Sequence, residues 1–515
     1  MNVRGLVGAL LPAFFVLDLG YFAGKRRSFD ADQAIELSAR NLPFRASRSG
    51  PTLTVRSTFS VGLPLIVFGR QLLGRQSGKH RPEPGDSGVG AVTYRMPTLS
   101  RILGAAFLLF GLALAPNAKP IEAQATQVQR GEYLARAGDC ISCHTASGGQ
   151  ALAGGGRLNT PFGYMLTPNI TPDAATGIGL WSSDDFYRAL HAGVNRAGED
   201  MYPTMPYDFY TRVTRDDSDA IYAYLRTLDP VTSFIDVNHL HFPFDERWTM
   251  GGWRELYFTE GTFTPSPNKS AAWNRGAYLV EGLGHCSACH SPRNLLGAIE
   301  KNREFAGAVI DGWFALDLSE NITTGLGSWS IDNIATYLKT GAFNGRTTAI
   351  GPMAEVVHNS LQYVTDSDLH AMAEYLKALP PDSPLRAGRR RPDATRLQGA
   401  NLYIDHCVAC HQSMGRGIPG VFPPLAGNGV VLASDPADIV NVVLLGIPPQ
   451  NGSIAMPSFA GEMSDQQIAA LANYVRTSWG NTAAPDATSS TVARLRIGNK
   501  VAHLSNDASF LPLAR

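Results

Sequence analysis

The 515-residue chain is short of charge and has no surplus of either sign: 17% of its residues are charged, with 44 Lys and Arg against 44 Asp and Glu. Beyond the first 95 residues the balance turns acidic, and residues 126–515 hold 29 basic and 37 acidic side chains. Phosphate backbones are bound by an excess of Lys and Arg, so the missing basic surplus excludes a nucleic-acid partner. Neither a P-loop nor a serine nucleophile motif is present. No apolar run of the ~20 residues that cross a bilayer follows residue 125, so any membrane contact of that part is expected to be peripheral. What the chain does have is 44% hydrophobic residues, enough for ordinary folded cores. At 515 residues it has room for several domains.

Cysteine is scarce too, and none of the six lies outside three short clusters. An even count first suggests disulfides, but the spacing does not. The clusters are Cys140-Ile141-Ser142-Cys143-His144, Cys286-Ser287-Ala288-Cys289-His290 and Cys407-Val408-Ala409-Cys410-His411. C-x-x-C-H is the attachment site of c-type haem. Two cysteines three apart on a helical turn reach the two vinyl groups of one porphyrin edge, and the adjacent histidine stands over the iron as proximal ligand. A thioredoxin-like dithiol needs neither the histidine nor three copies, and a zinc site normally draws four ligands from two such pairs. Three covalently bound haem c groups are therefore expected, on Cys140 and Cys143, Cys286 and Cys289, and Cys407 and Cys410. His144, His290 and His411 are the expected proximal ligands.

Covalent haem attachment takes place outside the bacterial cytoplasm, which requires an export signal. Met96–Arg101 reads as a short basic n-region and Ile102–Leu114 as an apolar h-region, followed by Ala113-Leu114-Ala115 and Ala123-Gln124-Ala125 as cleavage sites. Residues 96–125 are thus expected to be a signal peptide, placing the mature chain in the periplasm. Residues 1–95 read as an extension ahead of the true start, with a membrane anchor through Leu6–Phe22, interrupted by Asp18, as the alternative.

An internal repeat follows from aligning the three motifs. Arg130-Gly131-Glu132-Tyr133-Leu134, Arg275-Gly276-Ala277-Tyr278-Leu279 and Gly399-Ala400-Asn401-Leu402-Tyr403 precede them. Asn169-Ile170-Thr171 and Asn321-Ile322-Thr323 follow the first two. Each repeat closes with an amphipathic helix behind a capping-box-like start, Thr214-x-x-Asp217, Thr365-x-x-Asp368 and Ser464-x-x-Gln467. The expected fold is mostly α, with three tandem class I-like cytochrome c domains at 126–235, 266–382 and 393–482 joined by Pro-rich linkers. Residues 232–268 read as aperiodic connector, Pro380–Pro392 as a stiff basic linker, and 483–515 as an extended C-terminal tail.

The distal ligand decides the chemistry of a haem, because a strong sixth ligand favours electron transfer over small-molecule binding. Met205 (Thr204-Met205-Pro206), Met353 (Pro352-Met353-Ala354) and Met456 (Ala455-Met456-Pro457) occupy the same place in each repeat, a loop ahead of the last helix, and are the expected sixth ligands. Competitors are Met165, Met201, Met463 and His358. His239 and His241 lack the partners of a metal site, His285 reads as a surface or propionate contact, and Trp181 and Trp329 as core residues. No catalytic residue is assigned.

From about residue 126 to 482 the sequence resembles the three-haem cytochrome c subunit of bacterial membrane-bound dehydrogenases for alcohols, gluconate and related sugars. The resemblance rests on Tyr202–Tyr207, Trp273–Cys286, Gly351–Val357 and Asn473–Asn481. It implies an electron-transfer subunit without substrate chemistry of its own, which accepts electrons from a PQQ- or flavin-bearing catalytic subunit and passes them to ubiquinone. Its place would be the periplasmic face of the inner membrane. A cytochrome subunit of a molybdopterin-dependent aldehyde or N-heterocycle dehydrogenase is the nearest alternative, and a self-sufficient haem peroxidase the alternative from another class. The exported polypeptide is expected to begin near residue 116 or 126 and to carry three haems; an intact mass showing residues 1–95 retained, or fewer haems, contradicts this.

Overall fold

Hydroxyl N-caps and apolar residues at helical spacing produce the helices expected of them. In a computed structural model, residues 121–343, 347–381, 394–449 and 454–505 are described, all within the compact unit Leu99–Arg515. The extension 1–95, residues 96–120 of the expected signal peptide and residues 382–393 of the expected linker lie outside the described residues. The chain is substantially helical, with three small antiparallel sheets among the described residues.

The principal helices are α1 (Ile121–Ala137), α2 (Arg215–Leu225), α3 (Ala271–Ala277), α4 (Asp366–Lys377), α5 (Ala394–His406), α6 (Ala437–Leu445), α7 (Asp465–Thr477) and α8 (Ser489–Ser505). α1 crosses α2, α3 crosses α4, and α5 crosses α7. A glycine sits at each crossing. A Cβ on Gly131 would stand 1.9 Å from the Ala220 carbonyl oxygen, one on Gly276 1.9 Å from that of Ala371, and one on Gly399 2.3 Å from that of Ala470. The apolar faces of α2, α4 and α7 pack inward, with Ile221, Leu225, Met372, Leu376, Ile468 and Leu471 all buried.

After each of the first two haem motifs the chain makes a hairpin, β1 (Arg157–Thr160) with β2 (Gly163–Leu166), and later β4 (Ala308–Ile310) with β5 (Trp313–Ala315). Between the repeats, β3 (Asn238–Leu240) joins the free edge of β2. The connector is therefore less irregular than expected, and it also contains a helix at Thr249–Tyr257. The C-terminal segment departs further from expectation, since α8 packs on α6 and α7 with Val492 and Leu495 buried. What ties it down are polar side chains of α7: the half-buried Asn473 exchanges two hydrogen bonds with the Ala487 backbone, and the fully buried Arg476 donates to the Ala484 and Ala433 carbonyls. Composition alone read these residues as an extended tail because side-chain bonds to backbone groups leave no compositional signal.

The first two repeats meet through a reciprocal contact. Tyr278 donates to the Asp217 carboxylate (2.5 Å) and accepts from the Thr214 backbone N–H (3.3 Å). Tyr133 donates to Asp368 (2.6 Å) and accepts from the Thr365 N–H (3.4 Å). Each aspartate is also paired with an arginine of its own repeat, Arg130 at 2.5 Å and Arg275 at 2.7 Å. Each tyrosine hydroxyl thus enters the capping motif of the opposite repeat, between the N-cap amide and the N3 carboxylate. The third repeat has Asn401 and Gln467 in the corresponding positions, and Ser464 and Gln467 close a direct capping box. The three caps looked alike in sequence, and only packing separates them.

Asp217 is almost fully buried, so its carboxylate depends on these donors. Tyr278→Phe is expected to cost about 1–3 kcal/mol in urea denaturation, more than Tyr133→Phe, because Asp368 keeps its two-pronged Arg275 partner. Burial alone would raise Asp368, but the Arg275 and Tyr133 donors outweigh it and hold the carboxyl below its ordinary value. Its contribution is therefore present above the ordinary carboxylate range and lost as pH falls through the lowered value.

Candidate functional site

Each C-x-x-C-H segment forms a short helical turn, Cys140–Cys143, Ser287–His290 and Val408–His411, with the histidine N–H bonded to the carbonyl of the first cysteine. None of the six cysteines is in a disulfide. Burial pushes the Cys140, Cys143 and Cys286 thiols up to about 12 and Cys407 to about 11, keeping them protonated. Among the described residues no three His, Cys, Asp or Glu side chains converge as a metal-binding cluster, so the Cys pairs are not gathered into zinc-like sets.

The three histidines are held alike. Nδ1 of His144 lies 2.8 Å from the Pro168 carbonyl, that of His290 2.6 Å from Leu316, and that of His411 3.0 Å from Pro423. A carbonyl only accepts, so Nδ1 carries the proton and Nε2 is left with its lone pair, the arrangement of a metal-ligating imidazole. Burial lowers all three histidine pKa values and favours this neutral form. A second clasp repeats as well: the backbone N–H groups of Gly154, Gly307 and Gly417, each at positive φ, donate to the carbonyls of His144, His290 and His411. The accepting carbonyls were not found from sequence, since any residue type supplies one and Leu316 bears no resemblance to the two prolines.

Around the third motif lies an apolar cavity of about 770 Å³, including the space open at its mouth. Its walls include Cys407 and His411 from the start of the repeat and Met456 from its end, with Val431, Val443 and Leu471. A thiol of the Cys pair, an imidazole with free Nε2, a thioether and apolar walls are groups that haem c uses, so the residues present fit it.

Met205 and Met353 are half-buried and pack against the shared core of the first two repeats together with Cys140 and Cys286. Met353 lies in the first turn of a helix, Gly351–Asn359, not in the expected loop. The competitors are occupied otherwise: Met165 accepts a hydrogen bond from Thr204 (3.2 Å), Met201 packs against the cluster of Tyr202 and Tyr207, and Met463 is buried in the third core. His358 lies in the last turn of the Met353 helix. His285, expected as a surface or propionate contact, is half-buried, with its ring edge-on to Tyr210 and Nδ1 3.1 Å from the Leu283 carbonyl. His239 stacks on Tyr164 and bonds the Asp236 carbonyl, and His241 is exposed. Trp181 and Trp329 pack on the core as expected.

The first two motifs are close together. Cys289 of the second lies near enough to Cys143 of the first that negative charge on its sulfur disfavours the Cys143 thiolate. Asn359, at the end of the Met353 helix, donates to Ser142 inside the first motif (2.9 Å). Thr347, Thr348 and Ile350 of the second repeat form part of the third cavity wall.

Comparison with known proteins agrees with this geometry. Residues 128–229 match the family described as Cytochrome c, and residues 394–475 the family described as Cytochrome C oxidase, cbb3-type, subunit III. The chain is 40% identical to the cytochrome c subunit of the alcohol dehydrogenase (quinone) of Gluconacetobacter polyoxogenes, over 76% of this chain and 87% of that one. It is 38% identical to the gluconate 2-dehydrogenase cytochrome c subunit of Pantoea cypripedii, over 74% and 92%. It is also 38% identical to one of the subunits of the nicotinate dehydrogenase of Pseudomonas putida, over 78% of this chain but 35% of that longer protein.

Proposed function

The chain belongs to the family of cytochrome c subunits of dehydrogenases, and we propose that it is the three-haem member of such a complex, carrying electrons from a catalytic subunit to ubiquinone. The catalytic subunit would bear PQQ or flavin and oxidise an alcohol, gluconate or a sugar, at the periplasmic face of the inner membrane. The observation that supports this most directly is the thrice-repeated histidine, Nδ1 bound to a carbonyl and Nε2 free beside a Cys pair.

In this reading the cytochrome c domains are three, at 126–235, 266–382 and 393–482, joined by linkers. Cys140 and Cys143, Cys286 and Cys289, and Cys407 and Cys410 would anchor one haem each, and the iron would be held by His144 with Met205, His290 with Met353 and His411 with Met456. Bound haem c supplies reversible one-electron chemistry at its iron. The protein residues do the rest. The carbonyls of Pro168, Leu316 and Pro423 fix each imidazole, the methionines would supply the sixth ligand, and apolar side chains such as Val443 and Leu471 line the third cavity against water. The acidic surplus of residues 126–515 suits docking on a basic face of the partner, and coupling should weaken as salt rises. Among the described residues no helix is long and apolar enough to cross a membrane, which is compatible with peripheral contact. The relative in nicotinate oxidation favours one second reading, in which the partner is an N-heterocycle dehydrogenase.

Two measurements check the proposal. Ala in place of Met205, Met353 or Met456 is expected to open one iron to carbon monoxide while leaving the haem attached. In reconstitution with a dehydrogenase catalytic subunit, its substrate and a soluble ubiquinone analogue, quinone reduction should require this chain. An equal rate without it, or substrate oxidation by this chain alone, would falsify the assignment.

A further inference from the structure

The two hairpins end alike. Pro168 lies two residues beyond Leu166, the last residue of β2, and Leu316 lies two residues beyond Phe314, immediately after β5; each supplies the carbonyl that receives a histidine Nδ1–H. A strand at a sheet edge leaves backbone N–H and C=O groups that need partners. In the first repeat β3 supplies them. The Leu166 N–H donates to the Val237 carbonyl (3.0 Å), Tyr164 pairs with His239, and the Phe162 carbonyl accepts from His241.

The second hairpin has no third strand among the described residues. Its free edge is met by two side chains from α6 in the third repeat. The Phe314 N–H donates to Oδ1 of Asp438 (2.7 Å), and Nδ2 of Asn441 donates to the Gly312 carbonyl (2.8 Å). Counted back from the histidine-binding carbonyl, Phe314 corresponds to Leu166 and Gly312 to Tyr164. The Asp438 carboxylate therefore stands where the first repeat has the Val237 carbonyl, and the Asn441 carboxamide N–H stands where it has a strand amide. The two side chains are three apart on one helix face, and both are buried, Asp438 3% and Asn441 0% exposed. Asn499 of α8 donates to Oδ1 of Asn441 (3.0 Å), which fixes the carboxamide with its N–H toward Gly312.

We propose that Asp438 and Asn441 are positioning residues for His290, acting from the third repeat through β5 as a side-chain substitute for the strand that positions His144. The proposal rests on the reading of His290 as a haem ligand. A firmly held acceptor on Nδ1–H makes an imidazole a stronger donor to iron, and a stronger donor favours the oxidised metal. Releasing β5 lets the Leu316 carbonyl move off His290, weakens that donation and raises the potential of the second haem. The third repeat would thereby set the potential of its neighbour without touching that neighbour's ligands.

The test uses the three-haem holoprotein and follows its midpoint potentials by spectroelectrochemistry, with the second haem identified as the one perturbed by Met353→Ala. Asp438→Leu removes the acceptor and is expected to shift that potential upward while the other two stay in place. Asn441→Leu should shift the same haem in the same direction, with Asp438 and its charge intact. Asp438→Asn keeps an oxygen for the Phe314 N–H and should shift it less than Asp438→Leu. Equal shifts in Asp438→Asn and Asp438→Leu, with none in Asn441→Leu, would mean that charge alone acts, and would overturn the proposal. So would an unmoved second haem, or a shift confined to the third. If Asp438→Leu fails to accumulate, Asn441→Leu decides alone. A wild-type protein with no haem on the peptide holding Cys286 and Cys289 would instead overturn the ligand reading itself, a result seen by peptide mass before any potential is measured.

Discussion

Three glycines set the distance at which the terminal helices of each repeat cross, and everything that surrounds the candidate haem sites depends on that distance. At Gly131, Gly276 and Gly399 the opposing backbone comes so near that even a methyl group would overlap a carbonyl oxygen. Helices normally pack 8–10 Å apart, their separation set by the side chains between them. With no side chain at the crossing, the first helix of each pair delivers its C-x-x-C-H turn at a fixed place relative to the last helix. A single glycine per repeat thus links backbone sterics to the geometry of a cofactor site.

The repeats share this plan but differ in how they are joined. The first two use a reciprocal exchange of tyrosine hydroxyls into each other's helix caps, a self-complementary arrangement like the isologous contact of a symmetric dimer. The second and third use an unsymmetrical contact, in which α6 supplies side chains to a strand edge and the second repeat lends Thr347, Thr348 and Ile350 to the third cavity. Both contacts are directional, so both restrict relative motion of the repeats. For a chain that moves electrons rather than substrates, fixed spacing between sites serves the function directly.

Charge follows the same logic. The carboxyl groups at the joints, Asp217, Asp368 and Asp438, are each bound by a donor from another repeat, so part of the cost of removing them from water is offset only when the repeats are assembled. The histidines beside the cysteine pairs are instead neutral, each proton committed to a backbone carbonyl. Titratable groups at the joints therefore specify assembly, and those at the candidate sites specify ligation.

By itself the sequence determined the cofactor chemistry, because thioether attachment needs two thiols and a histidine within five consecutive residues, a local requirement that spacing alone reveals. It determined the helical repeats for the same reason, since caps and apolar periodicity act within a few turns. Only the tertiary structure decided which carbonyl each imidazole meets, that α8 folds back where an extended tail was expected, that Met353 starts a helix, and that two of three similar caps are completed by a distant tyrosine. These features depend on backbone groups and on partners up to 235 residues away. Any residue supplies a carbonyl, and the pairing of a hydroxyl with a remote carboxylate leaves no spacing in the chain by which it can be read.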